Sequence, residues 1–202
     1  FKGLSVFKNG RVISFGTRNG LPERLVSSLA EDDAGHLWVG TEVGLFRSTR
    51  PAPCSGEPCD PRFVEFRHDG MSGGYVRIVY VGRDGTLWLG VNLGGLMAYR
   101  NGRTHRYTVA DGLPDNAVRG LQEDRRGGLW IGTRGGGVTR LKDGTFTTYT
   151  EKDGLISNGV QGLFIDSDDT LWIATRRGLS RFKNGKFTSY TINERVRLKP
   201  TD

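Results

Sequence analysis

Apolar residues in this chain come in short bursts broken by glycines and charged residues, and no run has the length and period of an ordinary helix. Residues 111–152 show the pattern most clearly. Val118–Glu123 reads as a strand, residues 124–128 as a charged turn, and Leu129–Thr133 as a second, largely apolar strand. After a glycine turn, residues 137–141 read as a third strand. Lys142-Asp143-Gly144 then reads as a hairpin of the Asp-Gly kind, and residues 145–150 alternate like a half-exposed fourth strand. The unit is predicted to be a four-stranded antiparallel sheet. Strands one and two should form its buried inner pair, and the Thr- and Tyr-rich fourth strand should face solvent.

The same phrase recurs. GHLWVGT, GTLWLGV, GGLWIGT and TLWIAT surround Trp38, Trp88, Trp130 and Trp172, at intervals of 50, 42 and 42 residues. A second marker keeps the same phase: Asn19-Gly20-Leu21-Pro22, Asp69-Gly70-Met71, Asp111-Gly112-Leu113-Pro114 and Asp153-Gly154-Leu155. The longer first interval holds an insertion at residues 48–62. A period of 40 to 50 residues with strands inside each unit predicts an all-β β-propeller of four-stranded antiparallel blades. Residues 19–68, 69–110, 111–152 and 153–192 are the four units; residues 1–18 are a partial blade and residues 193–202 a tail. Each tryptophan reads as the flat apolar group that fills the space between stacked sheets, not as a stacking platform for sugar or base. Gly40, Gly90, Gly132 and Ala174, two residues after each tryptophan, are small where a neighbouring sheet should come close.

The strand count then matters. Two strands in the partial blade and four in each unit make about four and a half blades, and the tail offers at most one more strand at residues 195–199. Such a chain is not expected to close a ring alone, short of a strained five-bladed ring with a defective blade. It reads as an arc of a larger, seven-bladed propeller, excised from a longer protein, or as one of several copies that close the ring together. Exposed blade edges would favour association.

Composition narrows the classes. Of 202 residues 31 are glycine, well above the ordinary share of roughly 7%, but without a collagen period. No segment approaches the roughly 18 consecutive apolar residues of a membrane helix, and no signal peptide is visible. The net charge of +7 is spread through turns and strand ends, so it reads as a solvated surface rather than a nucleic-acid footprint. The two cysteines, Cys54 and Cys59, share a Pro- and Gly-rich loop; a short disulfide there would imply an oxidising compartment such as a periplasm. Zinc would need two more ligands, and only His68 is near in sequence.

With its repeat spelled GLPDNAVRGLQEDRRGGLWIGTRGGGVTRLKDGTFTTYT, the chain resembles the two-component regulator propeller repeat over almost its whole length. Departures are local: Met71-Ser72-Gly73-Gly74 lacks Leu-Pro, Val81-Gly82 replaces Glu-Asp, and Ile156 replaces Pro. The resemblance implies a ligand-sensing propeller in the periplasmic part of a membrane-anchored bacterial receptor, with a kinase, response-regulator hybrid or cyclase as output. Carbohydrate is the ligand class it implies. The membrane would be met only through segments outside this chain.

Binding residues are expected where the loop from strand four to the next strand one meets the loop between strands two and three. These loops hold Asn92, Asn116, Arg134, Asn158, Arg176 and Arg177, whose side chains suit sugar hydroxyls or a carboxylate. If Arg134 and Arg176 share a face, an acidic saccharide is favoured. Catalysis, as by a glycan lyase or hydrolase on a propeller scaffold, finds little support, because His36, His68 and His105 are scattered over different units without a repeated partner. The carboxylates of EDDAG, GRDG, EDRRG and DSDD are explained by hairpin geometry, and none fits a twelve-residue calcium loop. No metal, cofactor or nucleic-acid partner is expected; the rival reading is a protein-interaction scaffold without a small ligand.

Overall fold

Glycines and Asn-Gly or Asp-Gly pairs cut the chain into strands of three to eight residues, and in a computed structural model these strands pair only with sequence neighbours. Residues 3–51, 61–69, 74–193 and 197–201 are described; Cys54 and Cys59 lie outside them. The first sheet is a hairpin of β1 (Leu4–Lys8) and β2 (Arg11–Phe15). The second holds β3 (Val26–Glu31), β4 (Leu37–Thr41), β5 (Gly44–Ser48) and β6 (Phe63–Glu65). β7 (Val76–Val81), β8 (Leu87–Val91), β9 (Gly95–Arg100) and β10 (Arg103–Tyr107) form the third. The fourth holds β11 (Val118–Glu123), β12 (Leu129–Thr133), β13 (Val138–Lys142) and β14 (Thr145–Tyr149). In the fifth, β15 (Val160–Ile165), β16 (Leu171–Thr175), β17 (Gly178–Lys183) and β18 (Lys186–Asn193) are joined by the tail strand β19 (Arg197–Thr201). Every sheet is ordered as in sequence, the up-and-down meander of a propeller blade.

The third strand of the repeat starts one residue later than the sequence pattern suggests. Gly137 has φ +83°, and a Cβ there would run into the carbonyl oxygen of Tyr149, so this glycine turns the chain into β13 instead of extending it. A second correction concerns the fourth strand. Thr145 and Thr147 are exposed, but Thr148 turns in to bond Thr139, and Tyr149 folds back onto the core, 5.8 Å from the Trp130 ring and 5.0 Å from Phe182 between centroids.

Two compact units divide the chain: residues 1–92 with 97–105, and residues 93–96 with 106–202. In the first, Trp38 and Leu45 pack against Val76, Val79, Leu87, Leu89 and Met97, joining the second sheet to the third. In the second, Trp130 and Val138 pack against Leu155, Val160, Leu171 and Ile173, joining the fourth sheet to the fifth. The fit relies on missing side chains. A Cβ on Gly40 would lie 2.8 Å from the Val76 carbonyl oxygen, and one on Gly132 would lie 2.5 Å from Val160 Cγ1. Ala174, at the equivalent place in the fifth sheet, is exposed.

Candidate functional site

The loops expected to bind are shaped by backbone constraints before any ligand is considered. Between β10 and β11, a 3-10 turn at Val109–Asp111 is closed by a capping box: Thr108 Oγ1 accepts from the Ala110 amide, and Asp111 Oδ2 accepts from the Thr108 amide at 2.8 Å. Asn116 Oδ1 accepts from the Val109 amide at 3.0 Å, and its carbonyl accepts from the Gly95 amide. The next sheet repeats the device around Glu151–Asp153. There Asn158 Oδ1 accepts from the Glu151 amide, and the Asn158 amide donates to Glu151 Oε1, both at 2.9 Å. The side-chain oxygens of both asparagines thus hold turns.

The arginines are placed differently. Arg134, Arg176 and Arg177 are exposed, and only their amides are anchored: Arg134 to the Ala117 carbonyl at 2.9 Å, Arg176 to the Gly159 carbonyl at 3.1 Å, and Arg177 to Thr175 Oγ1 at 3.2 Å. The Arg134 backbone and the Arg176 side chain both border Gly159, where an added Cβ would lie 3.2 Å from Arg176 Cδ and 3.4 Å from the Arg134 carbonyl oxygen. The second unit therefore brings Asn116, Arg134, Asn158 and Arg176 to one loop face. Asp115 and Glu151 temper the charge there, although both already accept backbone amides. Asn92 is exposed after β8, in the first unit, with its amide on the Tyr75 carbonyl.

At the opposite end of β11 and β12 lies a cluster that sequence reasoning missed. Asp124 Oδ1 accepts from the amides of Arg126 and Gly128, as hairpin geometry requires. Its other oxygen reaches further. Oδ2 accepts from Trp130 Nε1 at 3.0 Å and Arg140 Nε at 2.6 Å. Trp130 and Arg140 face each other across β12 and β13. Burial alone would raise the Asp124 carboxyl, but the Arg140 guanidinium and the Gly128 and Arg126 amides outweigh it and hold the group below the usual carboxylate range. Asp32, Trp38 and Arg47 repeat the arrangement in the second sheet. Asp166 and Trp172 repeat part of it in the fifth.

The signal was present as Asp six residues before Trp and Arg nine or ten after it. The third sheet has neither partner, with Gly82 and Ala98 at the corresponding places, and Asp84 pairs instead with Thr86 and Arg100. The tryptophan is thus not only filler: its N–H finds a carboxylate. A cleft of about 360 Å³ opens beside the cluster, lined by Asp124, Trp130, Arg140, Asp168, Phe182 and Lys183. Its innermost charges, Asp124 and Arg140, are spent on each other.

Among the described residues no group of His, Cys, Asp and Glu could hold a metal ion, and no helix is long and apolar enough to cross a membrane. His36 Nδ1 lies 2.8 Å from the Ser48 carbonyl oxygen, and His68 Nδ1 lies 3.2 Å from that of Asp69.

The family profile of the two-component regulator propeller matches residues 20–43, 112–135 and 154–177. Those three segments are similar to the two-component regulator propeller repeat, and the unit the profile passes over is residues 69–110, where Gly82 and Ala98 stand. No curated protein matches the chain. Among solved structures it is similar to the extracellular domain of a hybrid two-component system from B. thetaiotaomicron, with 23% identity and a TM-score of 0.64 over 82% of this chain and 25% of that one. It is also similar to virginiamycin B lyase from Staphylococcus aureus, solved with quinupristin, at 20% identity and a TM-score of 0.62 over 85% of this chain and 57% of that one. A third is PorZ, a surface component of the type-IX secretion system of Porphyromonas gingivalis, at 15% identity and a TM-score of 0.61 over 92% and 30%. The chain spans about a quarter of the length of the Bacteroides sensor domain. At these identities the likeness establishes the propeller-blade fold.

Proposed function

We propose that this chain is part of the ligand-sensing propeller of a membrane-anchored bacterial receptor of the two-component type, lying outside the cytoplasmic membrane and without catalytic activity of its own. The repeat type and the likeness to an extracellular sensor domain support the sensing role. The ligand class follows from the loop face. The Arg134 backbone and the Arg176 side chain both border Gly159 and both arginines are exposed, which suits the carboxylate of an acidic saccharide, with Asn116 and Asn158 holding the neighbouring turns. This convergence is the observation that carries the reading.

The test is calorimetric titration with a panel of neutral and uronic-acid oligosaccharides. The acidic members should bind, and replacing Arg134 and Arg176 together by alanine should weaken binding at least tenfold while leaving the melting transition in place. Unchanged affinity in the double variant, or preference for the neutral members, would overturn the assignment.

A further inference from the structure

The cleft beside the Asp124 cluster has an aromatic floor. Trp130, Tyr149 and Phe182 meet there, with centroids 5.8 Å apart for Trp130 and Tyr149, 5.3 Å for Trp130 and Phe182, and 5.0 Å for Tyr149 and Phe182. Its walls are tied together. The Arg125 amide donates to Asp169 Oδ1 at 3.0 Å, and Arg125 Nη2 donates to the Ser167 carbonyl, so the hairpin of the fourth sheet is fastened to that of the fifth. The cleft lies between two sheets of this chain and inside one compact unit, where a further blade has no place.

The charges around it fall into two groups. Asp124 and Arg140 bond each other, and Asp169 already holds the Arg125 amide. Arg126, Asp168 and Lys183 also line the cleft and are exposed, and among the described residues none of their side chains has an ion pair or hydrogen bond.

The third sheet shows how the last two positions are used elsewhere. Asp84 stands three residues before Leu87, the first residue of β8, as Asp168 stands three before Leu171, the first of β16. Arg100 ends β9 as Lys183 ends β17. Asp84 and Arg100 close on each other at 2.6 Å. The fifth sheet keeps the opposite charges at these places but leaves them unjoined, beside an aromatic floor.

We infer that this cleft binds an aromatic α-amino acid, with its ammonium at Asp168, its carboxylate at Lys183 and Arg126, and its ring on the floor of Tyr149 and Phe182. The class follows from what is left over. A simple anion would meet the Asp168 carboxylate, a simple cation would meet two like charges, and a ligand without a ring would leave the floor wet. A zwitterion with a flat apolar body meets all three demands. The volume of about 360 Å³ lies within the ordinary range for small-molecule sites, roughly 300–1,000 Å³. The site is at the opposite end of β11 and β12 from the arginine loops and does not rest on the saccharide reading.

Calorimetric titration of the protein with L-phenylalanine tests it. Binding should saturate and should change indole emission through Trp130. Phenylacetate lacks the ammonium, phenethylamine the carboxylate and L-alanine the ring, and each should bind at least tenfold more weakly. Asp168→Asn and Lys183→Gln each remove one charge from an exposed side chain; each should weaken L-phenylalanine at least fivefold while the melting transition stays in place. Replacing Arg134 and Arg176 together by alanine should leave this affinity unchanged, so failure here and failure of the saccharide reading are told apart. No binding of L-phenylalanine, L-tyrosine or L-tryptophan at millimolar concentration would overturn the inference. So would phenylacetate binding as tightly as L-phenylalanine, or affinity that survives both charge substitutions.

Discussion

The fourth and fifth sheets share a strand order, a turn and a register, yet the fourth completes its Asp–Trp–Arg cluster and the fifth does not. In both, the arginine lies across from the tryptophan, as Arg140 from Trp130 and Arg181 from Trp172. The difference lies two residues before the tryptophan. At Gly128 an added Cβ would lie 2.6 Å from Arg140 Cζ, so the guanidinium occupies space that only glycine leaves open. In the fifth sheet Thr170 fills that place, and Arg181 Nε is buried without a hydrogen-bond partner. The second sheet lies between these cases. His36 stands there, and Arg47 reaches Asp32 through Nη2 at 3.1 Å while its Nε stays unpaired. A single position thus decides how an otherwise repeated cation is used.

The largest difference should appear on removing the carboxylate. Asp124→Ala strands Arg140 and the Trp130 indole together and should cost roughly 2–3 kcal/mol in urea unfolding, whereas Asp166→Ala frees only the Trp172 indole and turn amides and should cost clearly less. Equal losses would break the comparison. Next come the small residues. Gly132→Ala pushes into Val160 and should cost about 1–3 kcal/mol, while Gly162→Ala meets open space and should stay within ~0.5 kcal/mol of wild type under dilute conditions.

Gly128→Thr should displace the Arg140 guanidinium and cost roughly 1 kcal/mol, and it should reduce the further effect of Asp124→Ala, a coupling that a double-mutant cycle reads. The smallest effect is on pH dependence. The carboxyls of Asp32, Asp124 and Asp166 all lie below their ordinary value. At acid pH the unfolded chain therefore binds protons before these groups do in the folded one. Their contribution is fully present above the unfolded carboxylate value near ~4 and is lost as pH falls through the lower folded values. Asp124→Asn should flatten the melting-temperature profile below that point; a profile parallel to wild type would contradict the electrostatic role given to Asp124.

Much of the fold was legible because turns and repeats are local. The glycines at φ above zero and the Asp-Gly hairpin fix where strands end, and the spacing of the tryptophans fixes the repeat. The tail strand was expected at residues 195–199 and lies at Arg197–Thr201, paired with β18. The Asp–Trp–Arg cluster was not read, because each member has a sufficient local explanation, and only cross-strand register brings them together. Tyr149 misled for a related reason. Alternation places it on an outer strand, but its ring follows Trp130 and Phe182 into the gap between sheets. Among the loop residues singled out from sequence, the structure draws a division that sequence did not: asparagine oxygens that hold turns, and arginines whose side chains are exposed.

That division can be read directly by amide hydrogen exchange with and without a uronic-acid oligosaccharide. The account predicts new protection at the backbone around Arg134, Gly159 and Arg176, with the turn of Asp124 and Gly128 at the other end of the same strands unchanged. Protection confined to that turn and the cleft beside Phe182, with the arginine loops unaffected, would place recognition on the opposite face and contradict the account.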